Sequence, residues 1–351
     1  MSDVSANSIG DNIADTGEKG VIGIMNMGNT CYMNSAIQAL RSYPEFTIMC
    51  THGFLEKECA DKTTDPYKIV VGLSELVQSL LSGSRPHVVR PSGFLDAVRT
   101  VVAGTIYEDF VRRVPQDAHE YVVWLLDQLY MASARPAPIT AAADNAAAQA
   151  WKVAFEKSWS PLASLFFGLL RISYSCSACS AVHHRFETFN VLKITPREDM
   201  SWTDCIRAEL NQEETIEGYA CETCEKEGRP RADARRTMSV WKLPKLLILT
   251  VKRYGSFGER INTPVIYDNS DLKFTELYAR ESAHPSKDKW YKTFATVDHL
   301  GRGMGGGHYV AQAWSFFWKR WFLYDDDIVQ GLEGPAYGRN TYMIFMRVQE
   351  H

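Results

Sequence analysis

Four of the eight cysteines fall in two C-x-x-C pairs, Cys176 with Cys179 and Cys221 with Cys224, the second pair starting 42 positions after Cys179. Each pair suits a tight knuckle, and two knuckles together can offer four thiolates to a tetrahedral zinc ion. Ser175, Ser177, Ser180 and Glu217-Gly218 beside them are turn-compatible residues. This spacing constrains the middle of the chain, because two distant turns have to meet and would clamp the tips of long strands that lack a core of their own. A sphere completed by cysteine leaves no position for a substrate, so one zinc ion here would be structural. His183 and His184 are alternative ligands that the complete cysteine set makes unnecessary. In a reducing compartment such spacing points to metal or redox chemistry rather than disulfides.

The chain has 351 residues, long enough for one elaborated domain or two, and its 45% apolar and 23% charged composition is that of a folded globular protein. A formal charge of −4 gives no basic field, so nucleic acid is not an expected partner. Residues 1 to 20 are polar and aperiodic, which predicts a mobile tail and lacks the features of a secretory signal; order is expected from Val21. The longest apolar runs, such as Leu162 to Leu170, are too short to cross a bilayer. The expectation is an intracellular protein, in cytoplasm or nucleus, with no membrane partner.

The first third reads as helical, with a pattern from Thr30 or Cys31, another over Tyr67 to Leu81 stopped by Gly83, and a short one from Pro91-Ser92. Pro115 is expected to open a longer helix, PQDAHEYVVWLLDQLY, with Gln116, Asp117, His119 and Glu120 at its start. The Ala-rich stretch from Met131 to Ala150 reads as an insertion or linker before a helical Trp151 to Trp159. From Phe166 the texture becomes β-like, with strands expected over 169–174, 182–189, 238–243, 246–254, 265–267, 290–297, 308–314, 320–324 and 342–348. The fold class is therefore α+β.

Two stretches carry chemistry. In GIMNMGNTCYMNSAIQAL, Gly23 to Leu40, a lone thiol falls where an Asn/Gly loop becomes helix. Unpartnered N–H groups at a helix start favour thiolate over thiol, so Cys31 is expected to be reactive, with loop amides and the Asn26 carboxamide placed to donate to an oxyanion. In GRGMGGGHYVAQAW, residues 301 to 314, glycines precede His308 and allow an extended peptide to approach closely. Asp325, in WFLYDDDIV, lies 17 residues further on, as suits a neighbouring antiparallel strand. Cys31 as nucleophile, His308 as base and Asp325 as orienter form a set for acyl transfer, with Asp326 able to replace or assist Asp325. Taken singly, each element has an ordinary structural explanation: a buried cysteine, a glycine-rich hairpin, an acidic turn.

These motifs, with QDAHEYVVWLLDQL, SCSAC, CETC and LPKLLILTVKRY between them in order, make the sequence resemble the catalytic domain of a ubiquitin-specific protease. The match runs from about Val21 to Val348. The resemblance implies a papain-like cysteine protease fold with a helical thumb (about 21–160), zinc-bearing β fingers (about 165–245) and a β-rich palm (about 246–351). It implies catalytic roles for Cys31, His308, Asp325, Asn26 and Asp326, contacts with ubiquitin's C-terminal tail for Asp117, Glu120 and Tyr309, and a finger zinc site of Cys176, Cys179, Cys221 and Cys224. Ubiquitin and ubiquitinated proteins would be the partners of a monomeric enzyme that needs no organic cofactor. Gly305, Gly306 and Gly307 would line a passage narrow enough to favour a Gly-Gly end. Two features depart from the family: short loops over 255–290, and the aromatic run Trp314, Phe316, Phe317 and Trp318, which fits either hairpin core or an exposed patch for a partner. Two other readings compete, a protease for a ubiquitin-like modifier and an inactive ubiquitin-binding module. Intact Cys31, His308 and Asp325 argue against the second.

Overall fold

The computed structural model describes residues 20–82, 88–142, 144–255, 258–266, 271–303 and 306–349. The expected tail over residues 1–19, the helix stop at Gly83 and the contribution of Gly305 lie outside these residues.

The helical first third is as expected, with helices over Cys31–Arg41, Asp65–Leu81 and Ser92–Val102, and two further short ones over Pro44–Thr51 and Phe54–Glu58. The Cys31–Arg41 helix is buried on every side. Its apolar positions pack against the sheet and the other helices, while Asn34, Gln38 and Arg41, at helical spacing, form a polar stripe. Asn34 donates to the carbonyl of Ile24 (3.2 Å), Gln38 to that of Ile22 (2.9 Å) and Arg41 to that of Gly20 (3.0 Å). Three buried polar side chains thus satisfy the backbone of the strand that leads into the Asn/Gly loop, where an unpaired carbonyl would cost about 1–3 kcal/mol. That strand, β1 (Gly23–Ile24), pairs in parallel with β2 (Val88–Val89).

The longer helix begins at Ala118 rather than Pro115, because Asp117 takes the N-cap and accepts the Glu120 N–H at 2.9 Å. It runs to Ser133, and the next helix starts at Ala146, capped by Asn145 and ending at Phe155. The expected linker is therefore confined to 134–145, and Trp159 lies beyond the helix rather than in it.

The β portion forms two sheets. β3 (Gly168–Cys176), β4 (Val182–Phe189), β6 (Glu214–Tyr219) and β7 (Ala232–Lys242) make a four-stranded antiparallel sheet in the order β4-β3-β7-β6. β5 (Val191–Ile194), β8 (Leu246–Val251), β10 (Trp290–Gly303), β11 (Gly306–Ser315), β12 (Arg320–Asp325), β13 (Ile328–Leu332) and β14 (Thr341–Gln349) make the larger sheet, ordered β13-β12-β11-β10-β14-β8-β5, with β9 (Leu272–Lys273) alongside β10. A helix over Trp202–Leu210 lies against β5 and fills the second core with Trp202, Ile206 and Leu210. Of the segment expected as a strand at 265–267, Ile266 makes an isolated bridge with Ser201, and Tyr267 lies outside the described residues. Arg253, from the VKRY stretch, is buried and donates to the carbonyls of Thr341 (2.8 Å), Thr263 (2.6 Å) and Gly338 (2.7 Å), tying the loop after β8 to the entrance of β14. The Cys31–Arg41 helix packs across β10, β11 and β12, so its first turn faces the strands that carry the histidine and the aspartates.

Candidate active site and metal centre

His308 sits on β11 and Asp325 at the end of β12, and these strands pair antiparallel from Ala311–Tyr324 to Ser315–Arg320. The pairing brings His308 Nε2 to 2.5 Å from Asp325 Oδ1. Both side chains are partly exposed, as groups that must meet a substrate have to be. Cys31 opens its helix from the other side. Its thiol lies against the backbone N–H of Tyr309, the residue after His308. The helix-start argument is corrected here in one respect. Burial dominates and pushes the Cys31 thiol up, the Tyr309 N–H opposes it, the Asp326 charge adds to the rise, and the N–H groups of Tyr32 and Cys31 lower it by less.

Asp326 is a strut between the two halves of the site. Its side chain is 9% exposed and lies 4.0 Å from His308 Nε2. Its Oδ2 accepts from Asn26 Nδ2 at 2.7 Å, its Oδ1 from Asn34 Nδ2 at 2.7 Å, and its carbonyl from the Ile24 N–H at 2.8 Å. The residue adopts a left-handed φ of 51°. A Cβ on Gly23 would come within 2.7 Å of the Asp327 backbone, so the loop before the thiol and the turn after Asp325 touch where only glycine fits.

Asn26 is exposed, and its carboxamide orders the loop: Oδ1 accepts the N–H groups of Gly28 (2.8 Å) and Thr30 (3.2 Å). One hydrogen of its Nδ2 goes to Asp326, which leaves the other to donate. Asn29 takes a left-handed φ of 54° and donates to the Arg113 carbonyl at 2.8 Å, a turn role.

Asp117, beyond capping its helix, accepts the Tyr342 hydroxyl. Glu120 is exposed, and desolvation followed by the Asp117 charge raises its carboxyl. Tyr309 is 7% exposed and packs on His299 and Tyr342, with ring centroids at 4.5 and 5.8 Å. His299 lies beneath the glycine run. Its Nδ1 contacts the Tyr254 hydroxyl at 2.8 Å, and a Cβ on Gly307 would come to 2.2 Å from its Nε2. Sequence reasoning missed Asn34, Tyr254, His299 and Tyr342. The one local signal was the polar stripe of Asn34, Gln38 and Arg41 on an otherwise apolar helix.

The four paired cysteines meet at the tips of two hairpins. β3 ends on Cys176, and Cys221 and Cys224 follow β6. Cys176 and Cys224 sulfurs are 3.7 Å apart, those of Cys179 and Cys221 3.6 Å, and all four lie within 4.8 Å of one another. Four thiolates at ~2.3 Å from a tetrahedral zinc would be spaced by about 3.8 Å, so the donor set fits. The backbone N–H groups of Cys179 and Ala178 lower the Cys176 thiol to about 7, and that of Cys224 lowers Cys221. His183 Nε2 lies 3.5 Å from the Cys221 sulfur, beside the set rather than within it. His184 instead contacts the Ser173 hydroxyl at 2.9 Å.

A helix-borne thiol packed against the strand that carries a carboxylate-bonded histidine is an arrangement that papain-like cysteine hydrolases share. The chain belongs to the ubiquitin carboxyl-terminal hydrolase family, whose profile matches residues 22–346. It is 27% identical to ubiquitin carboxyl-terminal hydrolase 2 of Rattus norvegicus, over 95% of this chain and 55% of that protein, and 27% identical to the Homo sapiens protein of the same name, over 95% and 56%. The chain thus spans just over half the length of these curated relatives. In structure it is similar to a chain of the SAGA DUB module Ubp8/Sgf11/Sus1/Sgf73 bound to monoubiquitin, with a TM-score of 0.74 and 19% identity over 95% of this chain and 70% of that one. The same module bound to ubiquitin aldehyde gives 0.72, also at 19% identity with the same coverage. The α+β class and the ubiquitin-specific protease architecture expected from the sequence are those of this fold.

Proposed function

We propose that this chain is a cysteine-type deubiquitinase that hydrolyses isopeptide and peptide bonds after the C-terminal glycine of ubiquitin. The observation that carries the reading is the 2.5 Å His308–Asp325 contact, with the Cys31 thiol against the N–H of the next residue, Tyr309, in a chain of this family. The names of the relatives and the ubiquitin bound in the similar structures support ubiquitin as the substrate.

Asp325 engages His308 Nε2, which leaves Nδ1 to take the Cys31 proton. The thiolate attacks the glycine carbonyl, and the negative oxygen receives the free hydrogen of Asn26 Nδ2. As the C–N bond breaks, His308 returns its proton to the leaving amine and a thioester remains on Cys31. His308 then takes one proton from water as its oxygen attacks the thioester and returns that proton to the Cys31 sulfur as the C–S bond breaks, and ubiquitin's new carboxyl group releases the second proton to solvent. Asp326 keeps the Asn26 loop and the His308 strand in register through the entire cycle. Asp117 holds the channel side by its bonds to the Glu120 N–H and Tyr342, Glu120 is exposed to pair with an arginine of the ubiquitin tail, and Tyr309 backs the terminal glycines.

Zinc at Cys176, Cys179, Cys221 and Cys224 would supply four bonds that fasten the hairpin tips. We read about 21–160 as thumb, 165–245 as fingers and 246–351 as palm, and place a monomeric enzyme inside the cell, where thiols of this kind stay reduced. The test uses paired fluorogenic substrates, one carrying ubiquitin and one a ubiquitin-like modifier. Cleavage of ubiquitin that vanishes in Cys31→Ala is the expected result. Cleavage of the other modifier alone would overturn the substrate, and turnover by Cys31→Ala would overturn the mechanism.

A further inference from the structure

The 333–340 segment between β13 and β14 has no regular structure of its own, so side-chain bonds have to fix its place. Gln312, 5% exposed on β11, supplies two of them with one carboxamide: its Oε1 accepts the Ala336 N–H at 2.7 Å, and its Nε2 donates to the Ala336 carbonyl at 2.8 Å. The other Nε2 hydrogen goes to Asp298 Oδ2 at 2.5 Å. A flipped amide would set its oxygen against that carboxylate, so Asp298 decides which way the clamp faces. Asp298 is itself 5% exposed, with the Thr341 side chain as a further donor and the Arg253 cation nearby.

The clamp stands on the two strands that form the approach to the catalytic set. Asp298 is the register partner of Val310, two residues past His308, and it precedes His299 on β10. The clamped segment holds the same hairpin at its far end, where the Asn340 carbonyl accepts the His299 N–H at 2.8 Å. Arg260 joins the two, donating to Asn340 Oδ1 at 3.2 Å and to the carbonyls of His299 at 2.8 Å and Gly301 at 2.5 Å. One carboxamide therefore fastens an irregular segment to the β10–β11 hairpin that carries His308. Two apolar side chains at 298 and 312 would fill this core without the cost of burying a carboxyl, so the pair is placed for geometry rather than for stability.

We propose that Gln312, oriented by Asp298, is a positioning residue for the hydrolysis: it holds the 333–340 segment so that the β10–β11 hairpin presents His308 to Cys31. The role rests on the deubiquitinase reading above. It falls on the chemical step, because a small displacement of the base costs more in kcat than in affinity for a substrate held over a wide surface.

Steady-state hydrolysis of fluorogenic ubiquitin by Gln312→Leu should show kcat lower by about tenfold or more, with KM within about twofold of the wild type. Asp298→Leu should lose as much, and the double variant no more than either single, since the two residues act as one unit. Asp298→Asn keeps an acceptor for Gln312 and should retain kcat within about twofold. Gln312→Asn, whose carboxamide is one methylene short of Ala336, should fall with Gln312→Leu and replaces it if the leucine variant does not fold. The His308 imidazole, followed by NMR in histidine-labelled protein, should shift in Gln312→Asn and stay in place in Asp298→Asn. Additive losses, a change confined to KM, or wild-type kcat in a folded Gln312 variant would overturn the proposal. A folded wild type that does not cleave ubiquitin would overturn the deubiquitinase reading instead, and a His308 signal unmoved in Gln312→Asn would then overturn the positioning role as well.

Discussion

Cysteine is used in two opposite ways at the two ends of this molecule. Cys31 stands alone at a helix start, where burial pushes its thiol up. Cys176 and Cys221 lie in knuckles whose backbone N–H groups pull their thiols down, while Cys179 is pushed up and desolvation raises Cys224 to about 12, so the four thiols share charge unevenly. On the proposed mechanism the nucleophile's thiol is raised by its burial, whereas two of the four paired thiols are lowered by the backbone N–H groups of their own knuckles. Neighbours decide which role a thiol takes, and Cys50, fully buried with its thiol pushed far up by desolvation alone, shows a third outcome with no chemistry.

The sharpest way to break this contrast is to remove one sulfur from each end. Cys31→Ala is expected to abolish ubiquitin hydrolysis, a loss of roughly 10⁴-fold or more in kcat, with the thermal midpoint nearly unchanged and ubiquitin still bound. Cys221→Ser should do the reverse: a large drop in thermal midpoint and loss of bound zinc by metal analysis, with turnover per folded molecule largely kept. Equal effects of the two on stability would erase the distinction.

Much of the contrast was legible in the sequence because it rests on local signals. C-x-x-C spacing and the Gly-rich approach to His308 are short patterns with physical reasons, and antiparallel pairing at a separation of 17 follows from a hairpin. What could not be read is long-range. The bond from Asn26 to Asp326 spans 300 residues, and the Tyr342–Asp117 contact spans 225. Nor could periodicity reveal that Asp117 caps the helix that Pro115 was expected to open, since a cap is a choice between neighbouring polar residues. The burial that raises the Cys31 thiol is long-range in the same way, since it comes from the surrounding core and not from the helix whose N–H groups lower it.

Alkylation resolves the two thiol types by pH. After zinc is chelated, Cys176 should react with iodoacetamide through a midpoint near pH 7, because its thiolate fraction rises as pH passes its lowered value of about 7. In His308→Ala, Cys31 should require a clearly more alkaline pH than in the wild type, since burial then acts without a base. Peptide mapping by mass spectrometry reads both, and coincident profiles would contradict the account.

Smaller effects sharpen the catalytic end. Gly307→Ala should cut kcat several-fold or more through displacement of the His308 approach, since the added Cβ collides with His299. Asp298 is buried and desolvation raises its carboxyl to about 6, against a gain from the Gln312 donor. The folded state therefore binds its proton more tightly than the unfolded chain. The sign is that stability from this group is present below pH ~4 and is lost as pH rises through about 6. Asp298→Asn should flatten that decline, by at most about 1.4 kcal/mol in denaturant titrations compared at pH 5 and pH 8.

The central claim is that Cys31, with His308 and Asp325, attacks the carbonyl of ubiquitin's last glycine. Reaction of the wild-type chain with ubiquitin propargylamide, followed by intact mass and peptide mapping, tests it directly. The account predicts a single ubiquitin adduct on Cys31, absent from Cys31→Ala and strongly slowed in His308→Ala. An adduct on another cysteine, or none on a folded wild-type chain that still cleaves ubiquitin, would contradict it.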